Sequence, residues 1–125
     1  PRLGRVRAYV LPGYEARDDG YLLHLGLTAH LRALLDVPPE RWRYPSGAGE
    51  TLPDAEALLS EGVYAVEVDL SYPPEKLQRK VQAYKERYAG QIWGVSGTGR
   101  ARRVLALAWP KPVKVIPFIL REVLG

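Results

Sequence analysis

Residues 51–70 read TLPDAEALLSEGVYAVEVDL, and this stretch decides the fold. Its two ends are rich in apolar side chains, and the Ser-Glu-Gly between them is a typical turn sequence. The pattern therefore predicts a β-hairpin with strands at 51–59 and 63–70. In the second strand, Glu67 and Asp69 point to one face. The apolar side chains of Tyr64, Val66, Val68 and Leu70 point to the other face, which should be core.

A helix and a further strand are predicted after the hairpin. Residues 73–88 carry apolar side chains at helical spacing, with Ser71 placed to cap the helix and Gly90 to end it. Residues 91–96 read QIWGVS, a typical strand, and a helix between two strands normally makes those strands parallel. The buried stripe of the helix is predicted to be Leu77, Val81, Tyr84 and Tyr88.

The rest of the C-terminal half continues this alternation. The pattern predicts a helix at 100–108, a strand at 113–118 and a short last helix at 118–124. Strand, strand, helix, strand, helix, strand predicts an α/β fold with a mixed central sheet flanked by helices. A chain of 125 residues is expected to be a single domain, 1–125, with its core at about 51–118.

The N-terminal 50 residues leave alternatives open. Residues 5–11 alternate charged and apolar side chains, which predicts a strand. Residues 21–36 suit the apolar face of a helix, although 21–25 alone also fit a strand. Residues 41–50 indicate either an irregular segment or an edge strand followed by a loop.

Composition excludes several kinds of site. The chain has no Cys and two His, which excludes disulfides, thiolate zinc sites, Cys nucleophiles and His-rich zinc centres. No apolar run is long enough to span a membrane, and the start is unlike a signal peptide, so we expect a cytoplasmic protein without a membrane partner. Eleven Pro and many Arg favour a thermophile as the source.

Charge is distributed unevenly along the chain. Residues 1–75 hold 7 basic and 12 acidic side chains, whereas residues 76–121 hold 11 basic side chains and one acidic side chain. An acidic half followed by a basic half indicates a polyanionic partner such as DNA. The alternative is a solvated surface that is basic without a partner.

Acidic side chains of the hairpin carry the strongest chemical signal. Side chains on one face of paired antiparallel strands approach within about 5–8 Å, which would bring Asp54, Glu67 and Asp69 together. Carboxylate oxygens suit Mg²⁺ or Mn²⁺, and Lys80 on the following helix could reach the same point. These are the parts needed to hydrolyse a phosphodiester. The alternative is that Glu67 and Asp69 face water on a half-wet strand.

Three pieces of the chain resemble the replication-relaxation family of plasmid and mobile-element proteins. They are LPDAEALL at 52–59, YAVEVDLSYPPEKLQRKVQAY at 64–84 and IWGVSGTGRARRV at 92–104. That family is similar to the PD-(D/E)xK superfamily of nucleases. The resemblance therefore implies a restriction-endonuclease-like fold, a kind of domain that is often a homodimer.

The resemblance also assigns site residues. The Pro-Asp of the superfamily falls on Pro53 and Asp54, and its acidic strand residue falls on Glu67. Asp69 departs from the superfamily, which has Lys at that position. Related branches carry this Lys on the next helix, where Lys80 (or Lys76) stands. A chain of 125 residues has no room for the winged-helix half of the family, so the nuclease-like half alone is expected.

The first functional hypothesis is a metal-dependent DNA nuclease domain of a plasmid or mobile-element replication or relaxation protein. Asp54, Glu67 and Asp69 would hold Mg²⁺ or Mn²⁺, and Lys80 would stabilise the charged transition state. These four residues form the predicted catalytic set. The DNA backbone would be held by basic residues of the two helices: Lys76, Arg79, Arg87, Arg100, Arg102 and Arg103.

The second hypothesis is a catalytically inactive module of the same fold. It would bind DNA, or a replication or transcription protein, without any need for metal. Asp69 in place of the superfamily Lys favours this alternative. The Gly-rich segment 94–100 fits either hypothesis, as a flexible turn or as a backbone contact for phosphate.

Overall fold

The structure is a computed structural model that describes residues 19–47, 51–69 and 71–117. The strand predicted at 5–11 and the helix predicted at 118–124 lie outside these residues. Within them, the chain forms three α-helices, one short 3-10 helix and five strands. In chain order these are α1 (Asp19–Leu35), the 3-10 helix (Pro39–Arg41), β1 (Trp42–Arg43), β2 (Ala55–Leu59), β3 (Gly62–Asp69), α2 (Pro74–Arg87), β4 (Gly90–Val95), α3 (Thr98–Ala108) and β5 (Val113–Pro117).

The five strands form one mixed sheet in the order β1-β2-β3-β4-β5. The first three strands are antiparallel neighbours, whereas β3 pairs with β4 and β4 with β5 in parallel. The predicted hairpin, the parallel pair across α2 and the mixed sheet are all confirmed. The register places Ala55 opposite Val66, so the next pair along the hairpin is Asp54 opposite Glu67.

Helices cover both faces of the sheet. On one face, Leu27 and Leu31 of α1 pack against the side chains of Val66 and Val68. On the other face, α2 and α3 pack over β3 and β4 with the predicted stripe of α2, which is buried throughout. Ala65 belongs to this second core, and alternation along β3 puts Glu67 and Asp69 on the same side. The central strand therefore has no wet face.

The beginning of β4 is packed too closely for any side chain. A Cβ atom added at Gly90 would lie 2.8 Å from the carbonyl oxygen of Pro112 and would also meet the ring of Tyr64. Glycine at this position therefore lets β4 approach both the hairpin and the chain entering β5. Gly90, which the sequence predicts as the end of α2, is therefore also the first residue of β4.

Three local predictions differ from the structure. Residues 21–25 belong to α1 and not to a strand, because they continue the helix whose residues Leu27 and Leu31 pack against the sheet. Ser71 does not cap α2, since the N-cap is Pro73 and no side chain caps it. Finally, α3 begins at Thr98, two residues before the predicted start. The edge-strand alternative near residue 42 is confirmed by β1.

Candidate functional site

The hairpin register brings Asp54 and Glu67 together. Asp54 lies just before β2, and its Oδ2 accepts a hydrogen bond of 2.8 Å from the backbone N–H of Val68. This bond ties Asp54 across the strand pair, beside the side chain of Glu67. The two carboxyl groups lie close enough that Asp54 raises the pKa of Glu67.

Glu67 is fully buried and accepts hydrogen bonds from three further side chains. Its Oε1 atom accepts from Lys80 Nζ at 3.1 Å and from the hydroxyl of Tyr84 at 2.5 Å. Its Oε2 atom accepts from the hydroxyl of Tyr72 at 3.1 Å. Every one of these donors lies on α2 or in the segment that leads into it. The carboxyl group is therefore held in one position by the helix that covers it.

Lys80 reaches the carboxyl groups, as the sequence predicts. Its side chain is only 6% exposed, because α2 crosses the same face of the sheet; its Nζ atom lies 5.3 Å from the centre of the Tyr72 ring. Lys76 occupies a different place, with its Nζ 4.5 Å from the centre of the Tyr72 ring. Of the two candidate lysines, Lys80 is therefore the one in contact with Glu67.

Burial sets the protonation behaviour of this cluster. It raises the pKa of Glu67 well above the usual range, the neighbouring Asp54 raises that pKa further, and Lys80 and Tyr84 offset part of the rise. Burial and the charge of Glu67 also raise the pKa of the Tyr72 and Tyr84 hydroxyls above their ordinary value. Both hydroxyls therefore keep their protons and act as donors.

Asp69 is also fully buried on this face, but its hydrogen bonds go to groups outside the Glu67 cluster. Its Oδ2 accepts from the Arg100 guanidinium at 2.8 Å, and its Oδ1 accepts from the backbone N–H of Tyr72 at 2.7 Å. Arg100 also donates to the carbonyl oxygen of Tyr72 at 3.0 Å. Asp69 and Arg100 therefore fasten the segment between β3 and α2 to the first turn of α3.

The structure brings Asp54 and Glu67 together and engages Asp69 in a separate ion pair with Arg100. Within the described parts of the chain, no three His, Cys, Asp or Glu side chains are grouped closely enough to hold a metal ion. Mg²⁺ commonly uses one or two protein carboxylates and completes its shell with water and phosphate. Asp54 and Glu67, whose close negative charges raise the pKa of Glu67, meet this requirement, whereas Asp69 would first have to leave Arg100.

The six basic residues predicted to hold DNA lie on the two helices that cover this face. Arg102 and Arg103 are exposed and make no ion pair with the described residues. Arg87 donates to the carbonyl oxygen of Thr51 at 3.0 Å, so it joins α2 to the start of the hairpin. The remaining three are Lys76 over the Tyr72 ring, the exposed Arg79, and Arg100 in its ion pair with Asp69.

Three contributors to the site were not predicted from the sequence. Tyr84 was assigned to the core and Tyr72 had no role, yet both hydroxyls bind Glu67. The spacing of four between Lys80 and Tyr84 was an available signal, because such residues share a helix face. The Asp69–Arg100 pair joins residues 31 positions apart and has no local signal.

A cleft of about 320 Å³ opens beside this cluster, between the first turns of α2 and α3. Gly99 of the Gly-rich segment lines it together with Arg100 and Arg103, and most of the lining surface is apolar. The lining residues are Tyr72, Pro74, Leu77, Gly99, Arg100 and Arg103.

Comparison with protein-family models, with curated proteins and with solved structures finds no match to this chain. The resemblance to the replication-relaxation family therefore stays a prediction from the sequence. Among the residues that the structure describes, no helix combines the length and the apolar character needed to cross a membrane.

Proposed function

We propose that this chain is a restriction-endonuclease-like domain of a plasmid or mobile-element replication protein, and that it hydrolyses DNA with Mg²⁺ or Mn²⁺. One observation carries the proposal. The hairpin sets Asp54 against Glu67, and Lys80 from the next helix binds the same Glu67. Two carboxyls and a lysine in contact, beneath helices that carry basic side chains, match the needs of phosphodiester hydrolysis.

Each residue has a role in this proposal. Asp54 and Glu67 would hold the cation, which when bound supplies positive charge against a phosphate oxygen. Lys80 holds Glu67 in place and adds positive charge near the reacting group. Tyr72 and Tyr84 fix the orientation of the Glu67 carboxyl through their hydroxyls. In the hydrolysis, a water oxygen forms a bond to phosphorus, the bond from phosphorus to one sugar oxygen breaks, and that oxygen takes up a proton.

The alternative function, an inactive DNA-binding or protein-docking module, is favoured by a separate observation. Glu67 already accepts hydrogen bonds from Lys80, Tyr84 and Tyr72, as a carboxyl that only stabilises the fold would do. The module would bind DNA, or a replication or transcription protein, through its basic helices. It predicts no dependence on metal.

The cleavage test uses the purified chain with linear, supercoiled and branched DNA. We expect cleavage with Mg²⁺ or Mn²⁺ and none with EDTA. The Glu67→Gln variant should cleave at least about 100-fold more slowly, which is the size of loss expected when one group that stabilises transition-state charge is removed. Glu56→Gln is the matched control. Glu56 lies on β2 and its two carboxyl oxygens accept from Arg43 and Tyr88, so its replacement should leave cleavage unchanged.

Two outcomes contradict the nuclease. If the wild-type protein cuts none of these DNA forms with either metal, the inactive module replaces it. If Glu67→Gln cuts as well as the wild type, then the cleavage does not come from this site.

A further inference from the structure

Trp109, at the end of α3, is 75% exposed, which is unusual for the largest apolar side chain. The two other tryptophans behave differently, since Trp42 is 7% exposed and Trp93 is fully buried. Leu105, one turn before Trp109 on α3, is 46% exposed. The outer face of α3 therefore presents an apolar patch to solvent.

Basic side chains predominate in the stretch of chain that carries this patch. Residues 87–117 contain six basic side chains and no acidic side chain. Arg102 lies seven residues before Trp109, on the same side of the helix and about 10 Å away along its axis. Arg103 is also exposed, on the neighbouring side of α3 that lines the cleft. Exposed aromatic area beside Arg102 and Arg103, which make no ion pair with the described residues, matches a partner that is negatively charged and carries flat apolar surfaces.

We propose that unpaired DNA binds along α3, with a base stacked on Trp109 and phosphates on Arg102 of the outer face and on Arg103 beside it. Bases in a duplex are stacked on one another, so only an unpaired base can offer its face to an indole ring. A second copy of this chain is a poor partner, because two identical basic faces would repel each other. This inference rests on the proposed function, because it takes DNA as the partner. It adds that the bound DNA is unpaired.

The position of α3 connects this face with the candidate site. Its first turn carries Arg100, which holds Asp69 two residues from Glu67, and its last turn leads to Trp109. Eleven helical residues span about 16 Å. A single strand lying along α3 would therefore run between Trp109 and the end of the sheet that holds the carboxyls.

Tryptophan fluorescence gives a direct test. Because Trp42 and Trp93 are buried, quenching by a short oligothymidylate reports on Trp109. The titration is made in EDTA, so it does not depend on cleavage. We expect quenching by the single strand and less by a duplex of equal length. Trp109→Ala should weaken single-strand binding about tenfold, measured with a labelled oligonucleotide, while Trp109→Phe keeps most of the affinity.

Tyr44→Ala is the matched control for Trp109→Ala. Tyr44 is 50% exposed and follows β1, at the opposite edge of the sheet from β5, so its loss should leave binding unchanged. Equal affinity of Trp109→Ala and wild type for the single strand would overturn the inference. So would a dimer that Trp109→Ala dissociates without any change in DNA binding, since the patch would then join two copies. Absence of cleavage would overturn the nuclease and leave this binding result standing.

Discussion

At the scale of single residues, the chemistry of this protein depends on the groups that stabilise the buried carboxyl of Glu67. A fully buried carboxyl is costly unless cations and donors surround it, and here Lys80 and two tyrosines do so. The cost of breaking such a buried pair by removing one member is about 3–5 kcal/mol, well above that of an exposed pair. Lys80 is therefore expected to matter for stability as well as for charge at the site.

Lys80→Met should lower the free energy of unfolding by about 3–5 kcal/mol, because it leaves Glu67 buried without its cation. Adding Glu67→Gln should restore at least half of that loss, since a neutral amide needs no counter-charge. Chemical denaturation of the single and double variants measures both values. Lys76→Met is the control, one helical turn earlier and half-exposed over the Tyr72 ring, with an expected loss below about 1 kcal/mol. Equal losses for Lys80→Met and Lys76→Met would contradict the assignment.

At the scale of elements, the two basic helices hold different kinds of arginine. Arg100 neutralises the buried Asp69 and binds the Tyr72 carbonyl, so it joins the β3–α2 connection to α3. Arg103, three residues later, is exposed and makes no ion pair with the described residues. The charge on Arg100 serves the fold, whereas the charge on Arg103 is available to a partner.

Arg100→Ala should lower the free energy of unfolding by about 2 kcal/mol, because Asp69 loses its ion pair and stays buried. Arg103→Ala should change it by no more than about 0.5 kcal/mol, as for an ordinary surface substitution. Urea denaturation followed by circular dichroism measures both. Asp69→Asn placed on Arg100→Ala should recover part of the loss, because the unpaired charge is gone. If Arg103→Ala proves the more destabilising of the two, this division of roles is wrong.

At the scale of the whole molecule, the sequence predicted what depends on local periodicity. The hairpin, α2 and the parallel pair of β3 and β4 follow from apolar spacing and chain order, and so does the meeting of Asp54 and Glu67. The ion pair between Asp69 and Arg100 could not be predicted, because it depends on where α3 packs against the sheet. Which helix covers the second face of β3 could not be predicted for the same kind of reason, since α1 lies some thirty residues before the strand that it covers.

The packing of the helices also turns charge asymmetry along the chain into charge asymmetry across the molecule. α2 and α3 cover the same face of the sheet, and nearly all charge in residues 76–121 is positive. The negative half of the chain supplies α1, β1, β2 and β3. A localised basic face, and not net charge alone, should therefore control DNA affinity.

The salt dependence of single-strand binding tests this directly. Each phosphate contact on a single strand contributes about 0.7 to the slope of log K against log salt concentration. Replacing both Arg102 and Arg103 by Gln should therefore flatten that slope by about 1.4 and weaken binding most at low salt. The control is the paired change of Arg41 and Arg43 to Gln, which removes the same charge beside β1, at the far edge of the sheet. Because that edge is remote from α3, its slope should stay at the wild-type value. Equal flattening in both double variants would show that net charge alone attracts the DNA. The prediction that a localised basic face controls affinity would then be wrong.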